Sequence, residues 1–315
     1  MIEVVNLTKR YGNHLAVNEL SFNIEEGQIY GFLGPNGAGK TTTMNIMTGY
    51  LAPSEGTVRI NGYDILEDPE EARKCIGYLP EQPPLYLDMT VLEYIKFVAG
   101  LKKLPKSERK SMIDEAINVC KLEEVKNRVI KNLSKGYKQR VGLAQAIVGL
   151  PPVIILDEPT VGLDPLQIIE IRDMIKSLGK NHTVILSSHI LSEISAICDH
   201  VMIISHGKLV ASDTPENLLA LMKKEKTLNL TVKGSKESIE GVLRSLEFVT
   251  DIQFMDSEEK ACQSLVITYE GKEDIREELF YALSNAALPI YKLLPPVHSL
   301  EDVFIELTEN KEEEK

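Results

Sequence analysis

Residues 34–41 read Gly-Pro-Asn-Gly-Ala-Gly-Lys-Thr and match the phosphate-binding pattern G-x-x-x-x-G-K-[ST]. Glycines let a backbone wrap closely around phosphate oxygens, and a helix that follows points its unpaired N–H groups and positive dipole end at them. We expect Lys40 to reach the β- and γ-phosphates of a nucleotide and the Thr41 hydroxyl to help hold Mg²⁺. A plain glycine-rich turn is the alternative, but the strand-like run 28–33 before it and the helix-like run 42–48 after it favour nucleotide binding.

A pair of adjacent carboxylates is the second group suited to this chemistry. Residues 153–158 read Val-Ile-Ile-Leu-Asp-Glu, which predicts a buried parallel strand whose carboxyl end opens on a ligand crevice. Asp157 is suited to hold Mg²⁺ indirectly, and Glu158 is suited to orient or deprotonate the water that attacks the γ-phosphate. Neighbouring side chains on a strand point to opposite faces, so the two can take these separate roles only at its very end.

Two further residues precede these carboxylates in the chain. Tyr11 closes the first strand-like run and can stack on adenine or plug a sheet edge, and its place ahead of a phosphate loop favours stacking. Gln82 lies in the stiff segment Pro80-Glu81-Gln82-Pro83-Pro84, where a neutral amide can bind Mg²⁺ or the attacking water. For Gln82 alone, a solvated loop glutamine is the simpler interpretation.

Three more candidate site residues lie between positions 134 and 189. Ser134 precedes the helix-like run 141–149 and by itself is an ordinary helix N-cap. Asp164 lies in a turn that leads to the helix-like run 166–178. His189 follows a strand-like run and can sense the γ-phosphate beside Glu158, whereas a lone histidine is more often structural.

The elements that must position these side chains alternate between strand and helix. Before the phosphate loop the pattern predicts strands over 2–7, 20–24 and 28–33, and after it strands over 57–60 and 76–79 with a short helix over 69–74 between them. From Thr90 to Leu150 the pattern becomes helical, starting with a Thr90-x-x-Glu93 capping box and a helix over 91–101. A strand over 183–187, a hairpin of 201–204 and 208–211, and a helix over 215–222 close the region.

The C-terminal part has a different pattern. Strands over 227–232, 249–255, 264–269 and 290–294 and helices over 236–246 and 273–286 follow each other as β-α-β-β-α-β, which predicts a small ferredoxin-like domain. A helix over 299–308 and a charged tail come next. This part shows no metal, nucleophile or phosphate motif. It can dimerise, bind a ligand, brace a partner or stabilise the rest structurally, and we favour stabilisation.

Composition narrows the class of protein. The 315 residues carry a net charge of −12, which argues against a general nucleic-acid footprint. The four cysteines lie far apart without a C-x-x-C pair, so we expect reduced core thiols of a cytosolic protein rather than disulfides or zinc. There is no signal-peptide pattern and no apolar run long enough to span a membrane, so any membrane role must come through a partner.

Taken together and in order, these motifs resemble the ATP-binding cassette of ABC transporters over about the first 220 residues. The resemblance implies an α/β P-loop fold with a RecA-like core, an antiparallel β subdomain and a helical subdomain over about 83–150. It implies a cassette at 1–222 and an accessory α+β domain at 223–315. The segment 133–137 reads Leu-Ser-Lys-Gly-Tyr where the family signature is usually L-S-G-G-Q, and it retains Ser134 and Gly136. This form is similar to ABC-2 exporters, including gliding-motility and copper-site-maturation ATPases.

The same resemblance implies a role for each motif residue. Catalysis is assigned to Glu158, His189 and Gln82, and Mg²⁺ binding to Thr41, Gln82 and Asp157. ATP binding is assigned to Tyr11, Gly34, Pro35, Asn36, Gly37, Ala38, Gly39, Lys40, Thr41, Thr42, Ser134, Gly136 and Asp164.

The resemblance also implies partners. Two copies form a head-to-tail homodimer with ATP between the phosphate loop of one and Ser134 of the other. The dimer works on separately encoded integral-membrane permease subunits, from the cytoplasmic face of the cell membrane and without direct nucleic-acid contact.

Two alternatives remain. One is a soluble ABC-type ATPase that acts on ribosomes or nucleic acid, which a single cassette without a long coiled-coil insertion and an acidic balance disfavour. The other is a regulatory protein that binds ATP without turnover, against which Glu158 argues.

Overall fold

We analysed a computed structural model of the chain, which describes residues 1–221, 226–256, 259, 261–272 and 274–294. These residues fall into two compact units, one holding Met1–Pro215 and the other beginning at Glu216. The predicted boundary between residues 222 and 223, the helix predicted over 299–308 and the charged tail lie outside the described residues.

The first unit alternates strands and helices as predicted. Its strands in chain order are β1 Ile2–Tyr11, β2 His14–Ile24, β3 Ile29–Leu33, β4 Glu55–Ile60, β5 Tyr63–Asp64, β6 Ile76–Leu79, β7 Val153–Leu156, β8 Thr183–Ser188, β9 His200–Ser205 and β10 Lys208–Asp213. The helices are α1 Lys40–Met47, α2 Pro69–Lys74, α3 Val91–Leu101, α4 Arg109–Val119, α5 Lys135–Ile147, α6 Pro165–Gly179, α7 Leu191–Ile197 and α8 Pro215–Leu221, the last of which begins at the unit boundary.

The central sheet has the strand order β10-β9-β3-β8-β7-β6. Strands β9, β3, β8, β7 and β6 run parallel, and β10 pairs antiparallel with β9 at the edge. Every residue of β3, β7 and β8 is buried, as expected for apolar runs covered on both faces. Because these three strands are parallel neighbours, the segments that follow Leu33, Leu156 and Ser188 emerge at one edge.

A second, antiparallel sheet has the order β2-β1-β4-β5. It shares one apolar core with the central sheet, in which the rings of Phe22 and Phe32 meet edge to face with centroids 5.3 Å apart. The β1–β2 hairpin turns at Gly12, which has a left-handed φ of 58°, and Tyr11 pairs with His14 across it. The hairpin therefore carries Tyr11 at a fixed place relative to the core sheet.

The helical segment contains α3, α4 and α5. Thr90 and Glu93 form the predicted capping box at the start of α3. Helix α5 begins at Lys135, not at the predicted residue 141, because Ser134 caps it by accepting a hydrogen bond from the Tyr137 N–H at 3.4 Å. Residues 135–140 are therefore the first turns of a helix, not a loop before it. The short helix α7 was not predicted at all.

The second unit contains β11 Lys226–Lys233, α9 Lys236–Arg244, β12 Val249–Met255, β13 Cys262–Tyr269, α10 Arg276–Asn285 and β14 Ile290–Leu294. The predicted β-α-β-β-α-β order is confirmed. The described strands form an antiparallel sheet in the order β12-β13-β11-β14, and its core includes Leu230, Ile239, Ile267 and Leu279. Within the described parts of both units, no helix is long and apolar enough to cross a bilayer.

Candidate functional site

The phosphate loop is held in shape by close backbone packing. A Cβ on Gly34 would lie 2.3 Å from the Ile204 carbonyl oxygen, and one on Gly39 would lie 2.5 Å from the Ala16 carbonyl oxygen. Gly39 also has a left-handed φ of 103° at the start of α1. Both positions therefore require glycine, because any side chain would clash with a neighbouring backbone carbonyl.

The side chain of Lys40 folds back onto the phosphate loop. Its Nζ donates hydrogen bonds to the Gly34 carbonyl oxygen at 2.8 Å and the Pro35 carbonyl oxygen at 3.3 Å. Burial lowers the pKa of Lys40 below its usual value, and the nearby carboxylates of Glu158 and Asp157 oppose that shift. A buried ammonium with two carbonyl partners is a cation that an anionic phosphate would stabilise further.

A cavity of about 320 Å³ opens over this loop. Of the residues predicted to bind or act on a nucleotide, those that line it are Tyr11, Asn36, Gly37, Gly39, Lys40, Thr41, Thr42, Glu158 and His189. Pro35 and Ala38 belong to the loop itself, where the Ala38 N–H donates to the Pro35 carbonyl oxygen at 3.1 Å. His14, Ala16, Glu81 and Val161 also line the cavity and were not predicted.

Asp157 is almost fully buried at the end of β7, with 1% of its surface exposed. Its Oδ1 accepts a hydrogen bond from the Ser187 hydroxyl at 2.6 Å and lies 3.3 Å from the Thr41 hydroxyl. The same Ser187 hydroxyl accepts from the Glu158 N–H at 2.9 Å. Ser187, which was not among the predicted site residues, therefore ties both carboxylate residues to the neighbouring strand.

Glu158 turns away from the strand direction. Its φ of 47° lies in the left-handed region, which non-glycine residues rarely adopt. The turn lets Glu158 face the cavity while Asp157 faces Thr41, which is how adjacent residues serve one site. The Glu158 carboxylate lies 3.8 Å from Lys40 Nζ and 3.0 Å from Nδ1 of His189.

The Pro80–Pro84 segment places two polar side chains, the predicted Gln82 and its neighbour Glu81, at cavities near the phosphate loop. Glu81 lines the phosphate cavity, whereas Gln82 does not. Both line a second, larger cavity of about 1060 Å³, which Thr41 and Asp157 border as well. Glu81 is the closer of the two in sequence to the end of β6, and this position is the signal that sequence reasoning could have used.

Ser134, Gly136 and Asp164 lie outside the lining of the phosphate cavity. The Asp164 carboxylate caps α6 by accepting from the Gln167 N–H at 3.0 Å. A Cβ on Gly136 would lie 2.5 Å from Oε1 of Gln167, so the starts of α5 and α6 are in close contact. Ser134 and Asp164 are exposed, and Gly136 is buried where the two helix starts meet; we call the exposed face that carries Ser134 and Asp164 the capped-helix surface.

The two unusual residues of segment 133–137 have neighbours inside the chain. A Cβ on Gly162 would lie 2.1 Å from Lys135 Nζ, so the ammonium rests on the loop before α6. The Arg140 guanidinium lies 5.1 Å from the centre of the Tyr137 ring and pairs with Glu170 of α6. Lys135 and Tyr137 therefore help to join α5 to α6.

The oxygens of Thr41 and Asp157 are the hard donors that Mg²⁺ prefers, and their spacing suits a shared ion. Among the described residues, no three His, Cys, Asp or Glu side chains cluster as a metal site.

A phosphate loop between the central parallel strand β3 and helix α1, with an Asp-Glu pair at the end of β7, two strands away in the same sheet, defines a P-loop ATPase. Its helical segment and separate capped-helix surface narrow the class to ATP-binding cassettes.

Comparison with known proteins agrees with this class. The family described as "ABC transporter" matches residues 17–161. The bacitracin transport ATP-binding protein BcrA of Bacillus licheniformis is 35% identical over 98% of this chain and 97% of its own length. The linearmycin resistance ATP-binding protein LnrL of Bacillus subtilis (strain 168) is 30% identical, with 98% of each chain covered.

A solved structure points the same way. The dimeric post-hydrolysis structure of the ATP-binding cassette MJ0796 bound to ADP and Pi superposes with a TM-score of 0.62 at 28% identity, covering 68% of this chain and 98% of that one. The chain belongs to the ABC transporter ATP-binding proteins. It is an ATP-binding and hydrolysing transporter subunit, and the relatives named for transport favour this function over the two alternatives.

Proposed function

We propose that two copies of this chain form a head-to-tail dimer that encloses two ATP molecules with Mg²⁺ and drives a separately encoded membrane permease. The observation that carries this proposal is the division of the predicted site into two surfaces. Lys40, Glu158 and His189 converge on the phosphate cavity, whereas Ser134 and Asp164 lie on the capped-helix surface. A second copy brings the two surfaces together with the nucleotide between them.

Each residue around the phosphate cavity has a place in this reaction. Tyr11, half exposed at the hairpin, stacks on the adenine. The glycine loop and the start of α1 bind the phosphates through backbone N–H groups, and Lys40 exchanges its carbonyl partners for phosphate oxygens. Thr41 and Asp157 hold Mg²⁺, which neutralises charge on the phosphates when bound.

Glu158 orients the attacking water and accepts its proton. Its carboxylate is mostly buried, lies 3.8 Å from Lys40 and contacts His189 at 3.0 Å, so it is held at the phosphate side of the cavity. His189 then contacts the γ-phosphate, and loss of that phosphate removes the contacts that keep two copies closed. ATP thereby stabilises the closed dimer and its hydrolysis releases it.

We further propose that the permease docks at the larger cavity. The side chains of Tyr50, Tyr86 and Leu101 that border it are more than half exposed, which suits an apolar segment of a membrane subunit. Thr41 and Asp157 border the same cavity, so a docked segment lies next to the phosphate end of the site.

The full-length relatives named for bacitracin transport and linearmycin resistance support transport in the export direction. Docking places the chain on the inner face of the membrane. In this arrangement residues 223–315 form an accessory domain that stabilises the dimer of 1–222 cassettes.

The variant Glu158→Gln tests the proposal. It keeps the size of the side chain but cannot accept a proton, so we expect ATP to bind normally, hydrolysis to cease and a dimer to accumulate in light scattering. Glu70→Gln, the same change on the exposed start of α2, is the control; it stays active and accumulates no stable dimer. Unimpaired hydrolysis in Glu158→Gln contradicts the catalytic role assigned to Glu158. Purification from native membranes without any polytopic protein sinks the permease assignment.

A further inference from the structure

A buried carboxylate lies next to the catalytic pair without lining the phosphate cavity. Glu193 is on helix α7 and only 3% of its surface is exposed. Its Oε2 accepts a hydrogen bond from the Thr160 hydroxyl at 2.5 Å and another from the Ser188 hydroxyl at 3.3 Å. The Ser188 hydroxyl in turn accepts from the Ile190 N–H at 3.0 Å. A buried carboxylate with two hydroxyl donors is a specific arrangement, because leaving it without partners is costly.

These contacts join the two segments that carry the catalytic pair. Thr160 follows Glu158 by two residues, after β7, and Ser188 directly precedes His189, at the end of β8. Thr160 and Ser188 are themselves buried, with 5% and 1% of their surfaces exposed. Glu193 therefore links the segment after β7 to the end of β8. Glu158 and His189 belong to the same two stretches of chain, and Glu158 Oε2 lies 3.0 Å from His189 Nδ1.

We propose that Glu193 is a positioning residue for ATP hydrolysis, which acts through Thr160 and Ser188 to hold Glu158 and His189 in register. Glu158 occupies a left-handed conformation that a non-glycine residue keeps only when its surroundings determine it strongly. On one side the Ser187 hydroxyl holds the Glu158 N–H. The Glu193–Thr160 contact holds the chain two residues further on, so the turn is fixed on both sides.

An oxygen acceptor at this position suits the task, because the Thr160 and Ser188 hydroxyls both donate to it. The hydrogen bond from Thr160 is the shorter of the two, at 2.5 Å. One carboxylate oxygen accepts from both loops, so a shift of either loop weakens the shared arrangement. Glu193 does not contact the nucleotide cavity, and its effect is confined to turnover.

Two substitutions remove the two ends of this link. Glu193→Ala deletes the acceptor, and Thr160→Val deletes the hydroxyl at nearly constant volume. We expect each to lower kcat about tenfold to a hundredfold, because small misplacements of catalytic groups have effects of that size. The Kd for a fluorescent ATP analogue stays within about twofold, since the phosphate loop is untouched.

A conservative variant and a double variant distinguish a positioning role of Glu193 from a general effect on the stability of the protein. Glu193→Gln retains hydrogen bonding to both hydroxyls and should keep kcat within about threefold of the wild type. The double variant Glu193→Ala/Thr160→Val should be no slower than the worse single variant, because both remove one link. All rates are taken per folded molecule, below the melting transition.

The control is His182→Ala at the opposite end of β8. His182 is also buried and its Nδ1 contacts the Pro151 carbonyl oxygen at 2.8 Å, so this change lowers thermal stability but leaves kcat unchanged. If Glu193→Ala does not fold, Thr160→Val carries the test alone.

The inference rests on the proposed role of Glu158, and the two fail differently. Hydrolysis that persists in Glu158→Gln overturns the role of Glu158. An inactive Glu158→Gln together with wild-type kcat in Thr160→Val overturns the role of Glu193, as do fully additive losses in the double variant.

Discussion

The Ser187 hydroxyl offers a direct way to perturb the carboxylate end of the site. It is fully buried, donates to Asp157 Oδ1 at 2.6 Å and accepts from the Glu158 N–H at 2.9 Å. Ser187→Ala removes a single oxygen that serves both residues. Among the described residues the Glu158 N–H has no other hydrogen-bond acceptor, so the change leaves a buried donor unsatisfied.

The cost of Ser187→Ala follows from these two contacts. A hydrogen bond to a charged group contributes about 1.5–3 kcal/mol and an orphaned buried N–H costs about 1–3 kcal/mol, so we expect a loss of about 3 kcal/mol after partial relaxation. For a unit of this size, each kcal/mol lowers Tm by about 2–4 °C, which gives a fall of about 6–12 °C. Turnover should drop about tenfold or more, since Asp157 and Glu158 both lose their anchor.

The assay is thermal unfolding followed by circular dichroism, with ATP hydrolysis measured on the folded protein. Ser195→Ala is the matched control, because its exposed hydroxyl bonds only to the Leu191 carbonyl oxygen within α7, at 3.0 Å. That variant should stay within about 0.5 kcal/mol of the wild type. Equal melting temperatures and rates for the two alanine variants refute the reasoning about Ser187.

Three other outcomes are expected. Glu81→Gln should raise the Mg²⁺ concentration needed for half-maximal hydrolysis several-fold, whereas Gln82→Ala should leave it unchanged. The reason is that, of these two residues, Glu81 lines the phosphate cavity and Gln82 does not. A larger effect of Gln82→Ala would support Gln82 instead. Gly34→Ala should abolish ATP binding, because its Cβ would lie 2.3 Å from the Ile204 carbonyl oxygen. Gly100→Ala, in the last turn of α3 where a Cβ meets no neighbour, should instead stabilise the protein by about 0.5–1 kcal/mol. Normal ATP binding by Gly34→Ala contradicts the packing argument. Burial lowers the pKa of Lys40 below 10.5, so between its pKa in the folded protein and 10.5 the unfolded chain binds more protons. The free energy of unfolding of the wild type, relative to that of Lys40→Met, should therefore rise with pH across this window when measured by urea unfolding. A difference that stays flat or falls with pH contradicts this prediction.

Local sequence signals predicted most of the fold. The Thr90–Glu93 capping box located α3 at Val91–Leu101, and strong alternation located β12 and β14 at the bounds that the structure has. The phosphate loop came with its strand and helix because its spacing is tied to that geometry. Helix α7 was missed because it has only two turns after His189, too few for a periodic signal.

The finer parts of the site depend on contacts between distant residues. Ser187 and Asp157 are thirty residues apart, and Thr160 and Glu193 are thirty-three apart, so no local pattern connects them. Likewise, the contact of the Lys135 ammonium with Gly162 joins residues twenty-seven positions apart. Glu81 was not among the predicted site residues, although it lies closer than Gln82 to the end of β6.

The central claim is that each ATP site is built from two subunits, and mixing defective subunits tests it most directly. Lys40→Met removes the phosphate-loop cation, and Ser134→Arg blocks the capped-helix surface, so each variant alone should be inactive. In a randomly mixed population half of the dimers are heterodimers and each contains one complete site, so we predict about a quarter of wild-type hydrolysis. Hydrolysis in the mixture that does not exceed that of the separate variants contradicts a head-to-tail site shared between subunits.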